Sequence, residues 1–73
     1  MFGNYVIVIF KTNPTFYRIV GCGYSQRQAL RQAAIFEDHQ DGDDLFAVFH
    51  VSKLPEGNPN PKIGDEYTFG GWR

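Results

Sequence analysis

Three stretches of this chain are apolar on both of the faces a strand would present. Residues 5–10 set Tyr5, Ile7 and Ile9 against Val6, Val8 and Phe10, so successive side chains alternate between faces with no polar member. Their β-branched and aromatic content predicts a strand. Residues 15–22 and 45–52 repeat the pattern with few interruptions. Lys11-Thr12-Asn13-Pro14 separates the first two stretches as a turn, so they are expected to form an antiparallel hairpin. Gly21 and Gly23 flank Cys22 and end the second strand or mark a bulge in it.

The period then changes. Ser25 and Gln28 form an S-x-x-Q capping box, in which each side chain satisfies a backbone N–H of a helix's first turn. Ala29, Leu30, Ala33 and Phe36 follow at helical spacing and predict a helix over residues 26–38. Its inner face is small at Ala29 and Ala33, which lets it lie close to a sheet, and Ile35 falls opposite. Residues 40–44 are a polar loop around Gly42. Beyond Leu54, Pro55, Gly57, Pro59 and Pro61 alternate with Asn58 and Asn60 and predict an extended connection. Residues 66–69 can add a short edge strand. The expected order is ββαβ with a short fourth strand. That makes a single α+β domain over 1–73: an antiparallel sheet of three to four strands, one helix on one face, a core over 5–52 and a tail over 53–73.

A single short helix covers about one face, yet every apolar face needs cover. Strand two offers Phe16, Arg18, Val20 and Cys22 on one side and Tyr17, Ile19 and Gly21 on the other. Strand three offers Phe46, Val48 and His50 against Leu45, Ala47, Phe49 and Val51. Arg18 and His50 are the polar members, so their faces are set outward. The open face then shows Phe16, Arg18, Val20, Phe46, Val48 and His50, more apolar surface than soluble monomers usually leave bare. A bulge at the glycines would invert part of this assignment. The tail, with Tyr67, Phe69 and Trp72, could also fold back across that face, with Trp72 either a core anchor or a partner contact.

Composition supports a packed core despite 73 residues, since seven Phe, four Tyr and one Trp can each remove about 150–250 Å² from water. The single cysteine predicts a reducing, cytoplasmic setting. The longest apolar run, six residues, is too short for a membrane span or a secretory signal. Seven basic and eight acidic residues give a net charge of -1, so nucleic acid is not an expected partner. Aromatic residues 45–51 are faintly like the strand of RNA-recognition motifs, but that fold needs a helix between its first two strands.

Chemistry-bearing clusters are sparse. Glu37, Asp38, Asp41, Asp43 and Asp44 fall within eight residues. Aligning Gly42 with the glycine of a calcium loop puts His39 and Val48 at ligand positions, and the pattern fails there. No nucleophile accompanies these carboxylates. Cys22 with His39 or His50 lacks any catalytic signature, and a lone strand cysteine is ordinarily a small buried hydrophobe. No catalytic residue, metal or cofactor is therefore expected. Arg27 lies in the helix's first turn, with Arg31 one turn on, and Glu37 and Asp38 lie near its end; the charges of Arg27, Glu37 and Asp38 run against the preference of the helix dipole. The two charged ends and the acidic loop are candidate contacts for a partner.

The order of elements, with the segment Gly23-Tyr24-Ser25-Gln26-Arg27-Gln28-Ala29-Leu30-Arg31-Gln32-Ala33, resembles small phage-type proteins in which an S-x-x-x-A-x-x-x-A helix follows a hairpin. Anti-CRISPR proteins, a phage inhibitor of host RNA polymerase and the N-terminal half of HicB-type antitoxins share this ββαβ outline over residues 5–51. The resemblance is architectural and transfers no functional residue. It implies a non-enzymatic protein that inhibits or modulates a larger host complex by occupying its surface, through the open sheet face or by strand addition at an edge. The main competing expectation is a homodimer formed through the sheet, and further alternatives are a small enzyme using the acidic loop or Cys22 and an antitoxin-like module.

Overall fold

The predicted hairpin forms the centre of the sheet. In the computed structural model, which describes residues 3–39 and 44–73, β1 (Tyr5–Lys11) and β2 (Phe16–Gly23) pair antiparallel from Tyr5 opposite Gly23 to Lys11 opposite Phe16. β3 (Leu45–His50) pairs with the other side of β1. The tail supplies two strands rather than one: β4 (Glu66–Thr68) joins β2, and β5 (Gly71–Trp72) joins β4. The order is β3-β1-β2-β4-β5, antiparallel throughout, with α1 (Gln26–His39) against one face. The α+β class holds, with five strands in place of three to four.

The helix starts where its capping residues dictate. Ser25 Oγ accepts from the Gln28 N–H at 3.1 Å, while Gln28 Oε1 accepts from the Tyr24 N–H at 2.8 Å, one residue before the cap. Ala29 and Ala33 are the helix's buried residues, and Ile35 turns to solvent. Glycine lets the helix come this close: a Cβ on Gly23 would lie 3.0 Å from the Ala29 nitrogen, and one on Gly21 would lie 3.2 Å from the Phe36 ring.

Those glycines face the helix because of a bulge. Ile7 lies opposite Gly21 and Val8 opposite Ile19, so Val20 is the extra residue. Past it, Gly21 and Gly23 share the helix side with Val20, and Cys22 moves to the far side, opposite Val6. Two apolar layers result. Under the helix, Ile7, Ala29 and Ala33 pack with Tyr5, Val20, Phe46 and Val48. On the far face, Val6, Val8, Ile19 and Tyr67 pack with Tyr17, Ala47, Phe49, Val51, Leu54 and Trp72. Ile7, Ile19, Val6 and Val8 are fully buried and stabilise the fold by about 1.5–3 kcal/mol each.

The face set outward from the sequence is thus the face the helix covers. Val20, Phe46 and Val48 lie beneath α1, and the tail crosses the opposite face. The polar residues misled because they occupy margins: Arg18 reaches Glu66 at the β2–β4 corner, and His50 ends β3, exposed and edge-on to Tyr5.

The tail is pinned at several points. A one-turn 3-10 helix, Val51–Lys53, follows β3. The Gly64 N–H donates to the Ile19 carbonyl at 2.8 Å, and the Ile19 N–H donates to the Asp65 carbonyl at 2.9 Å. Asp65 Oδ2 accepts from the Lys62 N–H and the Asn58 amide, and these bonds hold its carboxyl below the usual carboxylate range. Trp72 Nε1 donates to the Pro55 carbonyl at 2.9 Å, and its indole lies 5.4 Å from the Tyr67 ring. Trp72 is therefore a core anchor on the far face.

Candidate functional site

Leu54 and Trp72 pack on the far-face core of Val6, Val8, Ile19 and Tyr67, and that face continues towards the β1–β2 turn. Alternation along β1 and β2 delivers Phe10 and Tyr17 there, directly opposite each other. Tyr17 is the hub. Its ring lies 5.2 Å from Phe10, 5.1 Å from Tyr67 in a stacked arrangement, 6.3 Å from Phe49 and 5.9 Å from Phe69, the last two edge-on. Tyr17, Phe49, Tyr67 and Phe69, with Pro55, Thr68 and the exposed Lys53, line a hollow of about 310 Å³.

Phe69 stands at its mouth and is 90% exposed. It is held there by a tight turn. Thr68 lies opposite Gly71, so Phe69 and Gly70 are the two residues that join β4 to β5. The Gly70 N–H donates to Thr68 Oγ1 at 3.1 Å, and Gly71 takes a φ of 124° that a side chain would resist. Burial, reinforced by the neighbouring Tyr17 phenol, pushes the Tyr67 hydroxyl up to about 12, so it stays a neutral donor at physiological pH. The site thus combines aromatic walls with the cation of Lys53. It suits an aromatic or proline side chain with a carboxylate beside it.

The other residues singled out from sequence do not gather into one site. Phe16 and Arg18 form a separate corner on the helix side. There Arg18 Nη2 meets Glu66 at 2.7 Å, Arg73 Nη1 meets Glu66 at 3.6 Å, and the Arg73 guanidinium lies 4.5 Å from the Phe16 ring. Arg27 and Arg31 are exposed on α1. Asp44 pairs with Lys11 at 2.7 Å, whereas Asp41 and Asp43 lie outside the described residues. Cys22 and His50 project from opposite faces, so they form no thiol–imidazole pair. Among the described residues no three His, Cys, Asp or Glu side chains gather where they could share a metal ion. No helix among them is long and apolar enough to cross a membrane.

Tyr17 and Phe49 were not among the expected site residues because they belong to the face set inward from the sequence, and Tyr67 joins them because the tail crosses that face rather than the opposite one. One signal was available: a large aromatic, Phe69, directly before Gly70-Gly71 is a side chain placed at the tip of a turn. Comparison of the chain with known protein families, characterised proteins and solved structures finds no match to any of them.

Proposed function

We propose that this protein is a small non-enzymatic interaction protein that captures an extended segment of a larger partner in the aromatic hollow. The carrying observation is Phe69, 90% exposed, on a tight turn, with its ring edge-on to Tyr17 at the mouth of the hollow. An exposed phenylalanine fixed at a hollow lined by three other rings is costly to leave in water and is put to use when a partner covers it. The chain's own tail indicates what this face accepts. Pro55 lies on it, just after the extended Leu54, with its carbonyl held by the Trp72 indole, as proline-bearing peptides dock on aromatic grooves. The partner segment carries a proline or aromatic side chain, with a carboxylate for Lys53. The phage-type resemblance extends the proposal to a host complex as the larger partner and to the cytoplasm as the place of encounter.

Selection of a random peptide library displayed on phage against the immobilised full chain tests this. Winning peptides should share a proline or aromatic residue near an acidic one and should lose at least tenfold in affinity for Phe69→Ala. Convergence on no such pattern, or equal binding by Phe69→Ala, would sink the proposal.

A further inference from the structure

β3 has the sequence of a central strand and the position of an edge. Its residues, Leu45-Phe46-Ala47-Val48-Phe49-His50, are apolar on both faces and include no Lys, Glu or Pro, the residues with which proteins blunt exposed edges. Among the described residues only β1 pairs with it. None of its six residues is fully buried and Leu45 is 66% exposed, whereas Val6, Ile7, Val8 and Ile9 of β1 are all buried. The opposite edge of the sheet is blunted: β5 is two residues long and followed by Arg73.

We infer that the occupant of this edge is a second copy of the chain, joined antiparallel through β3. Such a pair has its two-fold axis perpendicular to the sheet, so opposed residues must share a face and stand an even number apart. Centring the pair on Ala47 uses the whole strand. Ala47 meets its own equivalent, Leu45 meets the second copy's Phe49, and Phe46 meets the second copy's Val48. Asp44, which also holds Lys11, then comes opposite the second copy's His50 at both ends, a carboxylate beside an imidazole. Centring on Val48 instead would set His50 against Phe46 and leave Leu45 beyond the end of the opposing strand. The Ala47 register is self-complementary: apolar residues meet apolar ones and a polar pair closes each end. It turns two five-stranded sheets into one continuous sheet, with both aromatic hollows on the same face, and it stands independently of what those hollows bind.

The test is sedimentation of the full chain together with cysteine cross-linking in a Cys22→Ser background. Opposed residues of an antiparallel pair have Cα atoms about 4.5–5.5 Å apart, within disulfide reach. Ala47→Cys should therefore form a covalent dimer under mild oxidation. Leu45→Cys should not, since the two equivalents would lie at least about 13 Å apart at a rise of about 3.3 Å per residue. In the otherwise unaltered chain, Leu45→Lys should weaken the dimer at least tenfold while leaving the far-ultraviolet dichroism of the fold unchanged. Sedimentation as a monomer at every concentration at which the chain stays soluble would overturn the inference. So would equal cross-linking at positions 45 and 47.

Discussion

Trp72 donates its indole N–H to the carbonyl of Pro55 at 2.9 Å, tying the last strand to the start of the connection that leads to it. This bond closes the tail across the far face and sets where cover ends and the hollow begins. Trp72→Phe keeps most of the packing and loses the hydrogen bond, and should cost about 1 kcal/mol. Trp72→Ala also removes the contact with Tyr67 and should cost about 3 kcal/mol. Urea denaturation of both variants checks the order. Equal losses would mean that the ring's packing contributes nothing beyond the hydrogen bond, and an unchanged Trp72→Phe would mean that the hydrogen bond contributes nothing.

Gly23 sits directly beneath Ala29, and the helix has no room to retreat without opening the layer around Ile7. Gly23→Ala should destabilise by about 1–3 kcal/mol, the usual range for overpacking. Gly70→Ala, whose nearest neighbour would be Thr68 Oγ1 at 3.6 Å, should stay within about 0.5 kcal/mol of the parent. Thermal unfolding of the pair is the measurement.

Tyr67 carries a pH signature. Its hydroxyl is raised from 10.0 to about 12 in the folded chain, so between those values the unfolded chain has lost the proton that the folded one still holds. Stability should therefore be level with respect to this group below pH 10, fall as pH rises from 10 to 12, and level off above. Spectrophotometric titration should show one of the four phenols ionising late, and Tyr67→Phe should remove that phase. Asp65 acts in the opposite range: its lowered carboxyl contributes stability that is present above the ordinary carboxylate pKa and is lost as pH falls through its own.

Glu66 joins two arginines at the β2–β4 corner, but all three side chains touch solvent. Glu66→Gln should cost only about 0.5 kcal/mol, and less in high salt. A loss of several kcal/mol on denaturation would show that this corner is structural.

The hairpin, the helix with its Ser25–Gln28 cap, the inward Ala29 and Ala33 and the α+β class were all legible in the sequence, because local chemistry decides them. The sidedness of the sheet was not. It depends on one extra residue, Val20, whose bulge turns Gly21 and Gly23 towards the helix, and on a helix that stops short of Arg18. A polar residue on a strand marks exposure at its own position, not along the whole face. The aromatic hollow was hidden for a related reason. Tyr17, Phe49 and Tyr67 come together because β1 pairs with β3 and β2 with β4, segments far along the chain, and no local pattern announces them.

Binding of a partner segment at the hollow is most directly tested by nuclear magnetic resonance of the isotopically labelled chain, titrated with a peptide from the library selection. Amide shifts should concentrate at Tyr17, Phe49, Lys53, Thr68 and Phe69 and leave the helix residues Arg27 and Arg31 unmoved. Shifts centred on the helix, or spread evenly over the sheet, would contradict the assignment of the hollow as the binding site.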